Sequence, residues 1–161
     1  MRTVFGSTKR FTARIIAISL SAILVSALIS APAQARQPYA GIVMDAKTGK
    51  VLYSSSGTKK RYPASLTKMM TLYMMFDAIE SGKMSKKTRI RFSRHASSMQ
   101  PSKLGVKAGS SISAEQAIYA LVTKSANDAA AAVAEHIGGT EREFGKMMTK
   151  KARSIGMKNT T

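Results

Sequence analysis

The stretch ASLTKMMTLYMMFDAIES, residues 64–81, leaves the chain few options. Leu66, Met69, Met70, Leu72, Tyr73, Met74, Met75, Phe76 and Ile79 spread almost round the full circumference of a helix. A helix that is apolar nearly all round sits in the middle of a domain, so other elements must surround it. Pro63 marks its start and Gly82 its stop. The chain has no cysteine, so neither disulfides nor thiolate-bound zinc contribute, and packing alone must hold the fold.

The flanking segments supply candidates for that cover. YAGIVMDAKTGKVLYSS reads as a β-hairpin, with Ile42–Met44 and Val51–Tyr53 about a polar turn containing Gly49. Its apolar residues are consecutive rather than alternating, which predicts strands buried on both faces. Residues 83–94 hold six basic residues, and TRIRF within them alternates like a short strand. Residues 95–111 read as loop. Ser113 and Gln116 form a capping box ahead of the helix AEQAIYALV. That helix breaks near KSAND, because Ser, Asn and Asp favour caps and turns. DAAAAVAEHI forms the next helix and stops at Gly138-Gly139, and EREFGKMMTKKARSIG forms the last. No internal repeat or linker is visible, which predicts one folding unit.

The N-terminus has a different character. Residues 1–14 carry Arg2, Lys9, Arg10 and Arg14 and no acid, residues 15–29 are apolar apart from three serines, and Ala33-Gln34-Ala35 follows. A basic start, a short apolar run and Ala-x-Ala read as a secretory signal peptide over 1–35. The apolar run falls short of the ~20 residues that span a bilayer. Removing it leaves residues 36–161, with 22 basic and 8 acidic residues, a charge of +14. Such a balance favours anionic partners. Export, the lack of tryptophan and the absence of aromatic residues among the basic ones argue against nucleic acid. The basic run at 83–94 reads first as a solvated face, with peripheral attachment to anionic lipid or wall polymer as the alternative.

One lysine stands inside the apolar helix. Lys68 lies three residues after Ser65, on the same helical face. Burial pushes a lysine toward its neutral form, and a neutral amine beside a hydroxyl acts as its general base. The helix N-terminus adds N–H groups suited to an oxyanion. The alternative is a lysine that extends its charge to solvent, with Ser65 a helix cap. A second constellation, Ser125-Ala126-Asn127, sits in the break between two helices. There a hydroxyl and an amide can shuttle a proton and bind a carbonyl, or simply cap the next helix together with Asp128. His95 and His136 have no partners at metal-ligand spacing, so no metal site is expected.

Ser65-Leu66-Thr67-Lys68 within YPASLTKMMT, followed by SANDAAAAVAEHIGG, resembles the D-alanyl-D-alanine carboxypeptidases, the low-molecular-mass penicillin-binding proteins. DAKTGKVLY, KLGVKAGSSIS and GMKNTT resemble further stretches of that family, so the similarity runs from about Tyr39 to Thr161. The resemblance implies Ser65 as nucleophile, Lys68 as its base, and Ser125 with Asn127 as the second active-site element. It implies removal of the terminal D-alanine from peptidoglycan pentapeptides through an acyl-enzyme, β-lactams as covalent inhibitors, no cofactor, and a place in the periplasm or cell envelope.

The family's third motif, a Lys-Thr-Gly on a strand after Ser-x-Asn, does not follow Asn127. Lys47-Thr48-Gly49 precedes the nucleophile and lies in the hairpin turn. The expected fold is therefore mixed α/β: a helical cluster packed on an antiparallel sheet of which only the N-terminal hairpin is present. That hairpin is expected to lack sheet partners and to expose apolar edge. A polypeptide of residues 36–161 is expected to have little carboxypeptidase activity alone. A serine β-lactamase, a cell-wall endopeptidase of the same superfamily and a non-catalytic peptidoglycan- or membrane-binding domain are the competing readings.

Overall fold

The computed structural model describes residues 39–161. The segment read as a signal peptide lies outside the described residues. No helix among the described residues is long and apolar enough to cross a membrane. The chain divides after Arg61 into two compact units, where the sequence predicted one. The join falls just after Ser56-Gly57-Thr58-Lys59-Lys60-Arg61, a polar run with no apolar residue to bury.

The first unit contains β1 (Gly41–Met44) and β2 (Val51–Ser55), paired antiparallel, with Val43 opposite Tyr53 and a register shift between Val43 and Met44. Asp45 organises the turn. Its Oδ1 accepts from the Thr48 backbone N–H at 2.7 Å and from Thr48 Oγ1 at 2.6 Å. Gly49 closes the turn at φ +70°, a region glycine enters without strain. Lys47-Thr48-Gly49 thus belongs to the turn. The strands are not buried on both faces: Ile42, Val43, Met44, Val51, Leu52 and Tyr53 are all exposed. A two-stranded ribbon has no second layer of its own to cover such residues.

The second unit is helical. A 3₁₀ turn, Ala64–Leu66, leads into α1 (Thr67–Glu80). Ser81 N–H returns to Asp77 O, Gly82 adopts φ +74°, and Met84 N–H reaches Ala78 O at 2.9 Å. That stop buries Met84 against the core. The strands β3 (Arg89–Arg91) and β4 (Ser111–Ser113) pair antiparallel, with Ile90 opposite Ile112. Between them α2 (Arg94–Ser97) is capped by Ser93, whose side chain accepts from Ala96 N–H at 2.9 Å. That cap gives a helical turn to a segment read as loop. The Ser113–Gln116 capping box starts α3 (Ala114–Lys124). Then follow α4 (Asn127–Gly138) and α5 (Glu141–Ser154), the latter capped by Thr140.

The helix in the middle is α4 rather than α1. It packs against α1, α2, α3, α5 and β3, and buries Asp128, Ala129 and Ala131–Ala134. Alanine carries almost no side chain, so neighbouring helices approach closely on every side. At the end of α4 a Cβ on Gly138 would lie 2.7 Å from the Phe144 backbone nitrogen, so only glycine fits against α5 there. On α1 only Thr71, Met74, Met75 and Ala78 are buried, a single helical stripe. Leu66, Met69, Tyr73 and Phe76 form an exposed apolar stripe instead of the predicted all-round burial.

Candidate active site

Ser65 lies in the 3₁₀ turn that opens α1 and is exposed. The residue before it, Ala64, sits at φ +47°, left-handed for a residue with a Cβ. Such backbone costs of order 1–3 kcal/mol and survives only where the surroundings enforce it. Lys68 is on the first turn of α1 and half-buried, rather than fully enclosed as its apolar neighbours suggested.

Ser125 and Asn127 occupy the break between α3 and α4. The Ser125 backbone terminates α3 at φ +52°, with its N–H on Ala120 O. The Ser125 hydroxyl is buried and without a hydrogen-bond partner among the described residues. A buried hydroxyl left unpaired costs free energy that a native structure rarely concedes without a purpose. The N-cap of α4 is Ala126, with no side-chain cap, so these polar residues do not serve as the N-cap.

Asn127 is the hub. Lys68 Nζ donates to Asn127 Oδ1 at 2.7 Å, which joins two segments 59 residues apart in sequence. Asn127 Nδ2 donates to Gln100 O at 2.9 Å, and its backbone N–H donates to Ser102 O at 2.8 Å. Ser102 Oγ in turn donates to Lys124 O at 2.7 Å. The amide is thus held from both ends, which fixes where the lysine amine stands. Lys68 has no carboxylate partner among the described residues. Its acceptor is a neutral amide.

Sequence reasoning assigned Asp128 at most a capping role. Its carboxylate is fully buried. Oδ1 accepts from Leu104 N–H and Oδ2 from Gly105 N–H, each at 2.9 Å, with Val106 N–H at 3.4 Å and Ala129 N–H at 2.9 Å. Asp128 therefore ties the 104–106 loop to the start of α4, beside the strand of chain that holds Asn127. The sequence signal was an acid at the head of an alanine run, since a buried carboxylate requires several donors.

Not every prominent feature converges here. A recess of about 920 Å³ lies between α1, α4 and α5, lined by residues including Met74, Asp77, His136 and Lys151. None of Ser65, Lys68, Ser125 or Asn127 lines it. His95 Nε2 meets Glu141 Oε2 at 2.8 Å and joins α2 to α5; this hydrogen bond raises its pKa above the usual 6.5. The described residues contain no group of His, Cys, Asp and Glu arranged to hold a metal ion.

This arrangement has relatives. Residues 28–161 match the D-alanyl-D-alanine carboxypeptidase family. D-alanyl-D-alanine carboxypeptidase DacF of Bacillus subtilis is 36% identical over 127 residues, covering 79% of this chain and 33% of that protein. The crystal structure of D-alanyl-D-alanine carboxypeptidase DacD from Francisella tularensis superposes with a TM-score of 0.72 at 39% identity, covering 77% of this chain and 30% of that one. Penicillin-binding protein D2 from Listeria monocytogenes in its ampicillin-bound form gives a TM-score of 0.64 at 26% identity, over 73% of this chain and 46% of that one. The chain thus spans about a third of the length of the first two relatives and under half of the third. With residues 28–161 matched and Lys68 bonded to Asn127 within a fold like that of its relatives, the chain belongs to the D-alanyl-D-alanine carboxypeptidase family.

Proposed function

We propose that residues 36–161 carry the nucleophile of an exported serine D-Ala-D-Ala carboxypeptidase, which removes the terminal D-alanine from peptidoglycan pentapeptides. The observation that carries the reading is the 2.7 Å bond from Lys68 Nζ to Asn127 Oδ1. It puts the two motifs in contact, as a shared site requires.

In this mechanism Ser65 Oγ attacks the carbonyl carbon of the penultimate D-alanine while Lys68 takes the hydroxyl proton. The tetrahedral intermediate collapses, the C–N bond breaks, and D-alanine leaves with a proton delivered through Lys68 or the Ser125 hydroxyl. Asn127 binds the substrate amide and holds Lys68 in line. Water then hydrolyses the Ser65 ester. A β-lactam acylates the same hydroxyl, and its opened ring stays attached. Backbone N–H groups at the start of α1 support the oxyanion. The leader-like residues 1–35 and the basic surface fit a protein that works in the cell envelope.

The test uses a hybrid in which residues 39–161 replace the matching stretch of the Francisella carboxypeptidase. The hybrid is expected to release D-alanine from a pentapeptide, and Lys68→Ala is expected to lower kcat by ~10²–10⁴, the usual contribution of a general base. A Lys68→Ala hybrid with undiminished kcat would remove Lys68 from the mechanism.

A further inference from the structure

The basic run at 83–94 is folded into something more definite than a solvated tail. Arg89 and Arg91 are alternate residues of β3 and share its outward face, about 7 Å apart. Ile90 between them points inward and is completely buried, and so is Phe92. The two guanidinium groups are therefore carried on a strand anchored in the core. Across the ladder stand Ser113 and Ser111, small hydroxyls that leave the face open. Arg89 is laid along this face, with Nη2 on Ser111 O at 2.6 Å and Nε on Ser111 Oγ at 3.1 Å. That points it toward the rung of Arg91.

The charge is uncompensated. Of the six basic residues in 83–94, only Lys86 has an ion pair among the described residues, with Glu115 at 3.8 Å. Two acids beside Arg94 in the chain's packing are engaged elsewhere: Glu135 Oε1 accepts from Ser93 Oγ at 2.9 Å, and Glu141 meets His95 at 2.8 Å. Like charges held side by side on a strand repel. Beside them lies a recess of about 320 Å³ lined by Arg91, Phe92, Ser93, Arg94, Ala108 and Gly109, with no acid in its wall. Lys107 stands in the tight turn at the same end, where Ser110 N–H returns to Lys107 O at 3.1 Å.

We infer that the β3–β4 face, with the recess between Arg91 and Arg94, binds a linear polyanion bearing phosphate groups. Guanidinium groups suit phosphate oxygens through paired N–H donors, and Arg91 and Arg94 have those donors free of any ion pair among the described residues. A polymer is favoured over a bilayer surface by composition. No large exposed apolar side chain lies between Phe76 and Leu104 or between Leu104 and Tyr119, so the face offers nothing to insert among acyl chains. Binding here is independent of the acyl-transfer reading. In a wall enzyme it would hold the domain on its polymer while the active site works.

The test measures binding of labelled inorganic polyphosphate to the full chain by fluorescence anisotropy across a salt series. Arg91→Ser/Arg94→Ser is expected to weaken binding ~10-fold or more, and to reduce the slope of log K against log salt by about 2, one per lost phosphate contact. A control pair on α5, Arg142→Ser/Lys150→Ser, removes the same charge from another surface and is expected to weaken binding less than ~2-fold with the slope retained. Circular dichroism checks each variant's fold. Arg91→Lys/Arg94→Lys, which keeps the charge, is expected to retain the slope and lose affinity through the missing paired donors. Equal losses in the β3 and α5 pairs would overturn the proposal and leave only diffuse attraction to a cationic chain. So would arginine-dependent sedimentation with phosphatidylglycerol vesicles and no arginine-dependent polyphosphate binding, which would make the face a membrane contact.

Discussion

Replacing Asp128 tests whether the start of α4 is held in place by one buried carboxylate. Of its three bonds at 2.9 Å, the two to Leu104 and Gly105 N–H reach across to the 104–106 loop, and the third, from Ala129 N–H, is local. Charge-assisted hydrogen bonds contribute about 1.5–3 kcal/mol each. Two effects reduce the net value. Leu104 and Gly105 are exposed, so water recovers part of what their N–H groups lose. Removing a buried carboxylate also relieves its desolvation. The net cost of Asp128→Ala is then about 2–4 kcal/mol, a large share of a typical domain stability of about 5–15 kcal/mol. With a urea slope of about 2 kcal/mol/M, the unfolding midpoint should fall by about 1–2 M. Asp128→Asn should recover little, because the amide turns one of the two acceptor oxygens into a donor facing an N–H. Amide exchange at Leu104 and Gly105 should speed up in both variants ahead of exchange at Val133, deep in the core. An Asp128→Asn chain with the parent's midpoint and the parent's exchange at Leu104 would refute the reasoning.

Gly138→Ala drives a Cβ into the Phe144 backbone at 2.7–2.8 Å, so α4 and α5 must separate. The expected loss is about 1–3 kcal/mol, read by thermal melting; an unchanged Tm would show that the contact yields freely. The His95 pKa is raised by its hydrogen bond to Glu141. Its stabilisation is therefore complete below the unfolded value near 6.5 and is lost as pH rises through the folded value. Glu141→Gln should bring the His95 titration, followed by NMR, back toward 6.5, and an unmoved titration would count against the contact.

Much of the local structure was legible because it rests on local chemistry. The Ser113–Gln116 box, the stops at Gly82 and Gly139 and the strand character of TRIRF each depend on residues within a few positions. The Ser65–Lys68 pair and Ser125–Asn127 were readable as motifs for the same reason. What the residues could not show was which helix is central. The methionine-rich α1 exposes Leu66, Met69, Tyr73 and Phe76, while α4 is buried because alanines let its neighbours close in. The size of the apolar side chains ranks these helices the wrong way round, since small residues bury completely at little apolar gain. Asp128 escaped for a related reason: its partners are backbone N–H groups more than twenty residues away, which no side-chain pattern reveals.

The proposed mechanism requires Ser65 to be the acylated residue. The most direct measurement is peptide mapping by mass spectrometry after exposing the Francisella hybrid carrying residues 39–161 to benzylpenicillin. One penicilloyl adduct is expected, on the peptide containing Ser65, absent in Ser65→Ala and slowed in Lys68→Ala. An adduct that persists in Ser65→Ala, or that maps to another serine, would contradict it.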